Sequence, residues 1–245
     1  MTRSLRAIAA QTRVELTLTL RRGESLLVTM GIPVGILVFF SEVDALSTTL
    51  RRPVNFLVPG TLALAVMSTA MVSLGIATGY ERRYGVLKRL GATPLSRTGL
   101  LAAKTVSVLA VEVVQIAVLV VTGLALGWNG SWRLAPAVGL LLVGTVAFAG
   151  IGMLMAGTLR AEATLAGANA LFLALLFLGG MAYPLGKLPG WLESFARALP
   201  AAALSDSVRK VLAGASFPAG SVAVLLAWAL AVPLAAARWF RWEER

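Results

Sequence analysis

The stretch that decides the fold is residues 54–97, which reads VNFLVPGTLALAVMSTAMVSLGIATGYERRYGVLKRLGATPLSR. From Val54 through Tyr80 it carries no charged side chain, and about 20 mostly apolar residues are enough to cross the hydrocarbon core of a bilayer. Four cations follow shortly after Tyr80. Because clustered Lys and Arg beside a span mark its cytoplasmic end, the stretch predicts a transmembrane helix followed by a cytoplasmic loop.

The composition of the whole chain favours the same environment. Of the 245 residues, 58% are hydrophobic and 13% are charged, whereas a soluble domain carries about 25% charged residues. The mean hydropathy is +0.84. The chain has no cysteine and no histidine, which excludes disulfide scaffolds, thiol nucleophiles and imidazole acid–base chemistry. We therefore predict a membrane protein with no metal site, and we name no catalytic residue.

Further apolar runs on both sides of this stretch complete the predicted bundle. Internal proline and glycine are compatible with membrane helices, because neighbouring helices satisfy the freed backbone groups. We expect an all-α membrane protein with six transmembrane helices. The predicted spans are about Ser25 to Phe40, Val54 to Tyr80, Gly99 to Gly127, Arg133 to Leu159, Thr164 to Tyr183 and Phe217 to Ala237.

The basic side chains set the orientation of the predicted bundle. Fifteen of the 22 lysines and arginines lie on one side if the N-terminus is cytoplasmic, and this bias predicts that both termini are cytoplasmic. The same placement accounts for the net charge of +11 without nucleic acid as a partner. We expect a multi-pass protein of a bacterial plasma (inner) membrane, with the lipid bilayer as its surroundings.

Two segments outside the spans have amphipathic patterns. The first residues form a basic amphipathic helix that we expect at the inner membrane interface. Between the last two spans, two short helices separated by Pro200 would plug or frame an outer opening, or form an ordinary interfacial loop. The predicted single permease domain, 1–245, thus divides into 1–24 (amphipathic helix), 25–80 (spans 1–2), 81–98 (cytoplasmic coupling loop), 99–183 (spans 3–5), 184–216 (outer helical segment), 217–237 (span 6) and 238–245 (cytoplasmic tail).

The loop after the second span has the pattern of a short amphipathic helix. Tyr80, Tyr84 and Leu87 follow each other at i, i+4 and i+7, which predicts one stripe on a helix surface. Gly91 is suited to close that helix, and Thr93 followed by Pro94 predicts the N-cap and first turn of the third span. The alternative is that the loop only anchors the topology through its cations.

Three runs resemble the ABC type 2 transporter permease family, which includes the daunorubicin-resistance type of drug exporter permease. They are Phe56–Gly60 (FLVPG), Glu81–Arg97 (ERRYGVLKRLGATPLSR) and Gly179–Leu192 (GGMAYPLGKLPGWL). The chain departs from the family where Gly179 and Gly180 precede Met181, since relatives often show Ser-Gly and a Phe there. It departs again after Pro200, where Ala-Ala-Ala-Leu replaces a frequent Thr-Tyr pair. These departures leave the substrate open.

The resemblance implies a coupling helix that docks on a separate ATPase subunit. The implied docking residues are Glu81, Arg82, Arg83, Tyr84, Gly85, Leu87, Lys88, Arg89, Leu90, Thr93 and Pro94. The sequence has no G-x-x-x-x-G-K-[ST] phosphate loop, so we expect no cofactor on this chain and ATP with Mg on the partner. The resemblance further implies a second permease copy or a sister permease, and export (efflux) of a small amphipathic or apolar molecule, a drug or a lipid, with drug resistance as one outcome.

Four side chains inside the spans are candidates for the substrate pathway: Met67, Met71, Glu112 and Met181. Methionine suits an adaptable apolar surface, and an ionisable group inside a span is a functional candidate by default. Glu112 could bind a cationic substrate, pair with a basic residue, or be protonated and structural. Lys104 lies eight residues away, about 12 Å along the helix, which is too far for a direct bridge.

Three other classes of protein compete with the exporter. An ion- or proton-coupled secondary transporter needs ionisable groups near the midplane, and only Glu112 approaches that description. A non-transporting membrane scaffold would use the 80–97 loop only for recruitment. A membrane-embedded enzyme is disfavoured by the missing His and Cys.

Overall fold

The computed structural model describes residues 9–17, 23–42, 53–91, 96–130, 133–181 and 184–241. The regular structure of these residues is helical, which confirms the all-α prediction. The helices are α1 (9–17), α2 (Gly23–Glu42), α3 (Pro53–Arg83), α4 (Val86–Gly91), α5 (Arg97–Ala125), α6 (Leu134–Thr158), α7 (Ala161–Leu178), α8 (Gly190–Arg197), α9 (Pro200–Leu212) and α10 (Ala219–Trp239). The rest of the predicted N-terminal amphipathic helix lies outside the described residues.

Five helices are long and apolar enough to cross a bilayer: α3, α5, α6, α7 and α10. The apolar part of α2, Thr29–Glu42, is shorter. These helices correspond in order to the six predicted spans, so the chain is an all-α membrane protein with five to six candidate spans.

Helix α3 lies at the centre of the bundle. Within its most apolar window, 89% of the residues are buried, compared with 61% for α6 and 17% for α10. It packs against α2, α5, α6 and α9. A π-helical segment, Ser68–Ser73, interrupts α3 at mid-length. Segments of this type are rare and often lie at functional sites, so the middle of α3 is a place to look for one.

Close contact between α3 and α6 depends on glycine. A Cβ atom on Gly75 would lie 3.1 Å from the backbone of Gly152, and a Cβ on Gly152 would lie 2.6 Å from the carbonyl oxygen of Met71. The two helices therefore touch backbone to backbone, as small residues permit in membranes. Gly150 brings α6 equally close to α10, at Pro233.

Two helix ends differ from the predicted boundaries. Helix α7 ends at Leu178 and not near Tyr183, because Gly180 adopts a φ of +62° and turns the chain. Helix α9 begins at Pro200 itself, the residue that was expected to separate the two short helices, since proline fits the first turn of a helix. Helix α9 ends at Leu212, and Gly214 takes a φ of +70° just after the last turn.

The segment between α7 and α10 consists of a surface helix and a buried helix. Trp191 and Phe195 of α8 are exposed, whereas most residues of α9 are buried against α3, α6 and α10. The prediction of two short helices is confirmed: α8 lies at the surface of the bundle, whereas α9 is packed among the spans. The small side chains Ala201, Ala202 and Ala203 allow its close packing.

Candidate functional site

The predicted coupling helix consists of two pieces in the structure. Residues 80–83 are the last turn of α3, and α4 begins only at Val86. Between them the chain turns at Gly85, whose φ of +72° is unfavourable for any residue with a Cβ. The prediction of one continuous helix from Tyr80 to Leu90 is therefore wrong. Tyr80 and Tyr84 nevertheless stack, with ring centroids 6.2 Å apart.

Burial separates the predicted docking residues into two sets. Arg82 and Leu87 are buried, and Glu81, Gly85 and Leu90 are half-buried. The exposed ones are Arg83, Tyr84, Lys88 and Arg89. Thr93 and Pro94 lie outside the described residues. The described third span begins at Arg97, where the Ser96 side chain accepts a hydrogen bond from the Gly99 amide, so the cap that the structure describes is Ser96.

Val86 is an exposed residue that the sequence analysis missed. Its side chain is 43% exposed beside Tyr84, which is 70% exposed. Together with Lys88 and Arg89, these two residues form what we call the α4 surface: an aromatic ring, an aliphatic side chain and two cations on one short helix and the turn before it. The sequence analysis treated residues 80–90 as one helix, and the exposure of Val86 could not be predicted on that basis. The turn at Gly85 changes the direction of the side chains that follow it.

Lys104 joins three helices at the same end of the bundle. It is fully buried on α5, and its Nζ donates to Glu81 Oε2 at 2.7 Å and to Glu15 Oε1 at 2.8 Å. Glu81 lies in the last turn of α3 and Glu15 lies on α1. Gln11 also donates to Glu15 Oε1, at 2.8 Å. A buried cation needs such partners, because an unpaired charge in an apolar interior is costly.

The last turn of α3 is also fastened to α6 and α7. The Arg82 guanidinium donates to the Leu159 carbonyl oxygen at the end of α6, where helix carbonyls have no partner within the helix. Arg83 forms an ion pair with Glu162 in the first turn of α7. A movement of the segment before α4 would therefore be transmitted to α1, α5, α6 and α7.

The four predicted pathway residues are buried within the chain. Met67 and Met71 of α3 and Met181 after α7 have at most 1% of their surface exposed, and Glu112 has 2%. They are not clustered at one open surface in this conformation, so the pathway assignment stays a prediction. Near Glu112, Gln115 accepts a hydrogen bond from Thr69 of the π segment at 2.8 Å.

At the opposite end of the bundle, two of the runs singled out in the sequence meet. A Cβ atom on Gly60 would overlap the Met181 carbonyl oxygen, so α3 touches the backbone after α7 directly. Arg209 of α9 donates to the Gly180 carbonyl oxygen at 2.7 Å and lies 3.9 Å from the centre of the Phe56 ring. Burial lowers the pKa of Arg209 to about 10, with Asp206 acting in the opposite direction, so the guanidinium stays charged at neutral pH.

A cavity of about 430 Å³ also lies at this end. Its charged lining residues are Arg197, Asp206 and Lys210, and these are paired among themselves and with neighbours: Arg197 with Glu193, and Asp206 with Lys210 at 2.8 Å. Among the described residues, no group of three acidic side chains is placed to hold a metal ion.

Comparison with known proteins gives two matches. Residues 6–213 match the family described as ABC-2 type transporter. Over 237 residues, the chain is 24% identical to a protein of Bacillus subtilis (strain 168) named "Putative transport permease YvfS", and the alignment covers 91% of this chain and 93% of the relative. The family match includes both the α4 surface and the contact between Gly60 and Met181.

Proposed function

Because the chain belongs to the ABC-2 type transporter family and is a membrane permease, we propose that it is the membrane-spanning subunit of an ATP-driven exporter. ATP and Mg would be bound by a separate ATP-binding-cassette subunit. The cargo would be a small amphipathic or apolar molecule such as a drug or a lipid, and the Arg83 end of the bundle would face the cytoplasm of a bacterial cell. The basic residues 82–89 support this orientation.

The single observation that carries the proposal is the α4 surface. An exposed tyrosine beside an exposed valine and two cations, on a helix of six residues, is a suitable contact for a protein partner. Lipid alone does not require the sharp turn at Gly85, which directs α4 away from the course of α3. We assign this surface to the ATPase subunit.

The contacts behind the α4 surface would transmit the partner's movement. The three residues that directly precede the exposed turn each contact a different helix. Arg82 binds the end of α6, and Arg83 binds α7. Glu81 binds Lys104 of α5, the lysine that also binds Glu15 of α1. These residues then act as internal links, whereas Tyr84, Val86, Lys88 and Arg89 make the contact. The substrate would move where helices separate, without covalent chemistry on this chain.

A second copy of the chain, or a sister permease, would pack on α7. Only 22% of the apolar window of this helix is buried. Its exposed side carries larger apolar side chains, Asn169, whose amide donates to the Leu165 carbonyl oxygen at 2.8 Å, and four small ones: Ala163, Ala166, Ala170 and Ala174. Small residues allow membrane helices to approach closely, and a polar group facing lipid is unfavourable, so a protein neighbour fits this face better than lipid does.

The test of the proposal is co-purification with the co-expressed ATPase subunit. We expect the double variant Lys88→Glu, Arg89→Glu to lose most of the bound ATPase and most of its stimulated ATP hydrolysis. The matched control is Lys187→Glu, which reverses an exposed cation at the opposite end of the bundle. Unaltered association and unaltered ATP hydrolysis in the double variant would refute the assignment of the α4 surface.

A further inference from the structure

Glu112 is an acidic side chain in the middle of a membrane-spanning helix. It lies about 20 Å along the axis from either end of α5, a helix of 29 residues, and its side chain is buried. Its Oε2 lies 2.5 Å from the hydroxyl oxygen of Thr145 on α6. Its Oε1 is buried and has no hydrogen-bond partner among the described residues.

The single hydroxyl proton of Thr145 cannot serve both of its short contacts if Glu112 is charged. The Thr145 hydroxyl oxygen lies 2.5 Å from Glu112 Oε2 and 3.0 Å from the Leu141 carbonyl oxygen. Both of these atoms are acceptors if Glu112 is ionised, and a hydroxyl group has only one proton to donate. One of the two short contacts would then be a contact between two oxygen atoms without a proton.

Other threonines of this chain show where the hydroxyl proton goes. In helices, a threonine hydroxyl commonly donates to the carbonyl oxygen four residues earlier. Such bonds are formed by Thr17, Thr122, Thr158 and Thr164. Thr69, which lies in the π segment, donates to Gln115 instead. Thr145 lies within the regular helix α6, so its proton belongs to the bond with Leu141.

Within the part of the chain that the structure describes, no cation is placed to compensate a charge on Glu112. Helix α6 has no titratable side chain, and the interior of α3 from Pro53 to Gly79 has none either. On the described parts of the other neighbouring helices, the titratable groups are Glu24 and Glu42 of α2 and Arg238 of α10, each at or near a helix end. Lys104 of α5 is about 12 Å away and is bonded to Glu15 and Glu81.

We propose that Glu112 is a proton-binding site in the membrane: a neutral carboxylic acid whose Oε2–H donates to the Thr145 hydroxyl, which donates in turn to the Leu141 carbonyl. Every proton in this relay then has an acceptor, and the unpartnered Oε1 is the carbonyl oxygen of a neutral acid and not half of a carboxylate. The bound proton fastens α5 to α6 at mid-membrane. Glu112 therefore provides no negative charge for a cationic substrate and no partner for a basic residue.

Infrared spectroscopy of the purified full-length protein at neutral pH tests the proposal directly. In a detergent without ester groups, the carbonyl stretch of a protonated carboxylic acid is separated from the carboxylate bands. We expect the wild-type spectrum minus that of Glu112→Gln to contain the protonated-acid band, shifted in D₂O. The matched control, Glu193→Gln, removes a half-buried carboxylate that is paired with the exposed Arg197, and should change only the carboxylate bands.

Two further outcomes decide the case if the Gln variant does not fold. The wild-type spectrum itself must contain the protonated-acid band at neutral pH, and Thr145→Val must shift that band, because the acid loses its acceptor. A wild-type spectrum without the band overturns the proposal. A band that Thr145→Val leaves unchanged overturns the relay.

Discussion

Lys104 Nζ lies 2.7 Å from Glu81 Oε2, although the two residues belong to different helices and the lysine is fully buried. This ion pair joins α5 to the last turn of α3, five residues before α4 begins at Val86. Since Glu15 of α1 binds the same ammonium group, one buried cation connects the N-terminal helix, a membrane span and the segment that precedes the α4 surface.

Replacing Lys104 with methionine should destabilise the protein strongly. The buried carboxylate of Glu15 and the half-buried one of Glu81 would lose their common partner, and breaking a buried pair from one side costs about 3–5 kcal/mol. The triple variant Lys104→Met, Glu15→Gln, Glu81→Gln removes the charges together and should recover most of this loss. Thermal unfolding in detergent measures both. Equal unfolding temperatures for the single and the triple variant would show that the charges are not coupled.

Substitution of Gly85 should destabilise the protein through the backbone conformation and not through a steric clash. A Cβ atom there meets no other atom within 4 Å, but the φ of +72° is left-handed. Gly85→Ala should therefore cost about 1–2 kcal/mol, and Gly85→Asn less, because asparagine tolerates this conformation. The free energy of unfolding of the two variants gives the answer. A loss for asparagine as large as for alanine would mean that the backbone angle is not the cause.

The contact between α3 and α6 predicts opposite effects for two glycines of the same helix. Gly152→Ala places a methyl group against the backbone of Met71, which cannot move aside cheaply, and should cost about 1–3 kcal/mol. Gly139→Ala meets open space, so the better helix propensity of alanine should leave the stability unchanged or raise it by up to about 1 kcal/mol. Comparable losses in both variants would contradict the backbone contact seen at Gly152.

The end of the bundle opposite α4 should lose stability in acid. Burial raises the pKa of Asp206, but hydrogen bonds and charges from Lys210, Ser221 and Arg209 outweigh it and hold the pKa below its usual value. A carboxyl group whose pKa is lower in the folded state stabilises the fold above its unfolded pKa, about 3.9. This contribution is lost as the pH falls below that value and through the folded pKa.

Unfolding temperatures measured between pH 7 and pH 3 test the effect of Asp206. We expect Asp206→Asn to be less stable than wild type at pH 7 and the difference to shrink in acid. The control is Glu193→Gln, whose ion pair with Arg197 is exposed and should contribute little at any pH. A difference between Asp206→Asn and wild type that stays constant with pH would refute the assignment.

The sequence predicts the elements of this fold better than their contacts. Hydropathy and the basic residues place the spans, because each of these signals lies within one helix. The resemblance of the loop after Tyr80 to a permease family is confirmed by the family match. The implied docking role of that loop stays a prediction.

What the sequence could not predict depends on residues far apart in the chain or on one backbone angle. The partners of Lys104 are 23 and 89 residues away, and no pattern within a helix encodes such pairs. Nothing in the spacing of Tyr80, Tyr84 and Leu87 reveals that the chain turns at Gly85, so the exposure of Val86 was missed. The sequence predicted one helix that ends at Gly91; α4 does end there, but α3 has already ended before the turn at Gly85.

The most direct test of the account is site-specific cross-linking of the assembled transporter. The chain has no cysteine, so Val86→Cys and Trp191→Cys each carry a single reactive thiol, at exposed positions on opposite ends of the bundle. With a thiol-reactive photo-cross-linker, the account predicts a covalent adduct with the ATPase subunit from residue 86 and none from residue 191. An adduct from residue 191 alone, or no adduct from residue 86 in a complex that hydrolyses ATP, would contradict it.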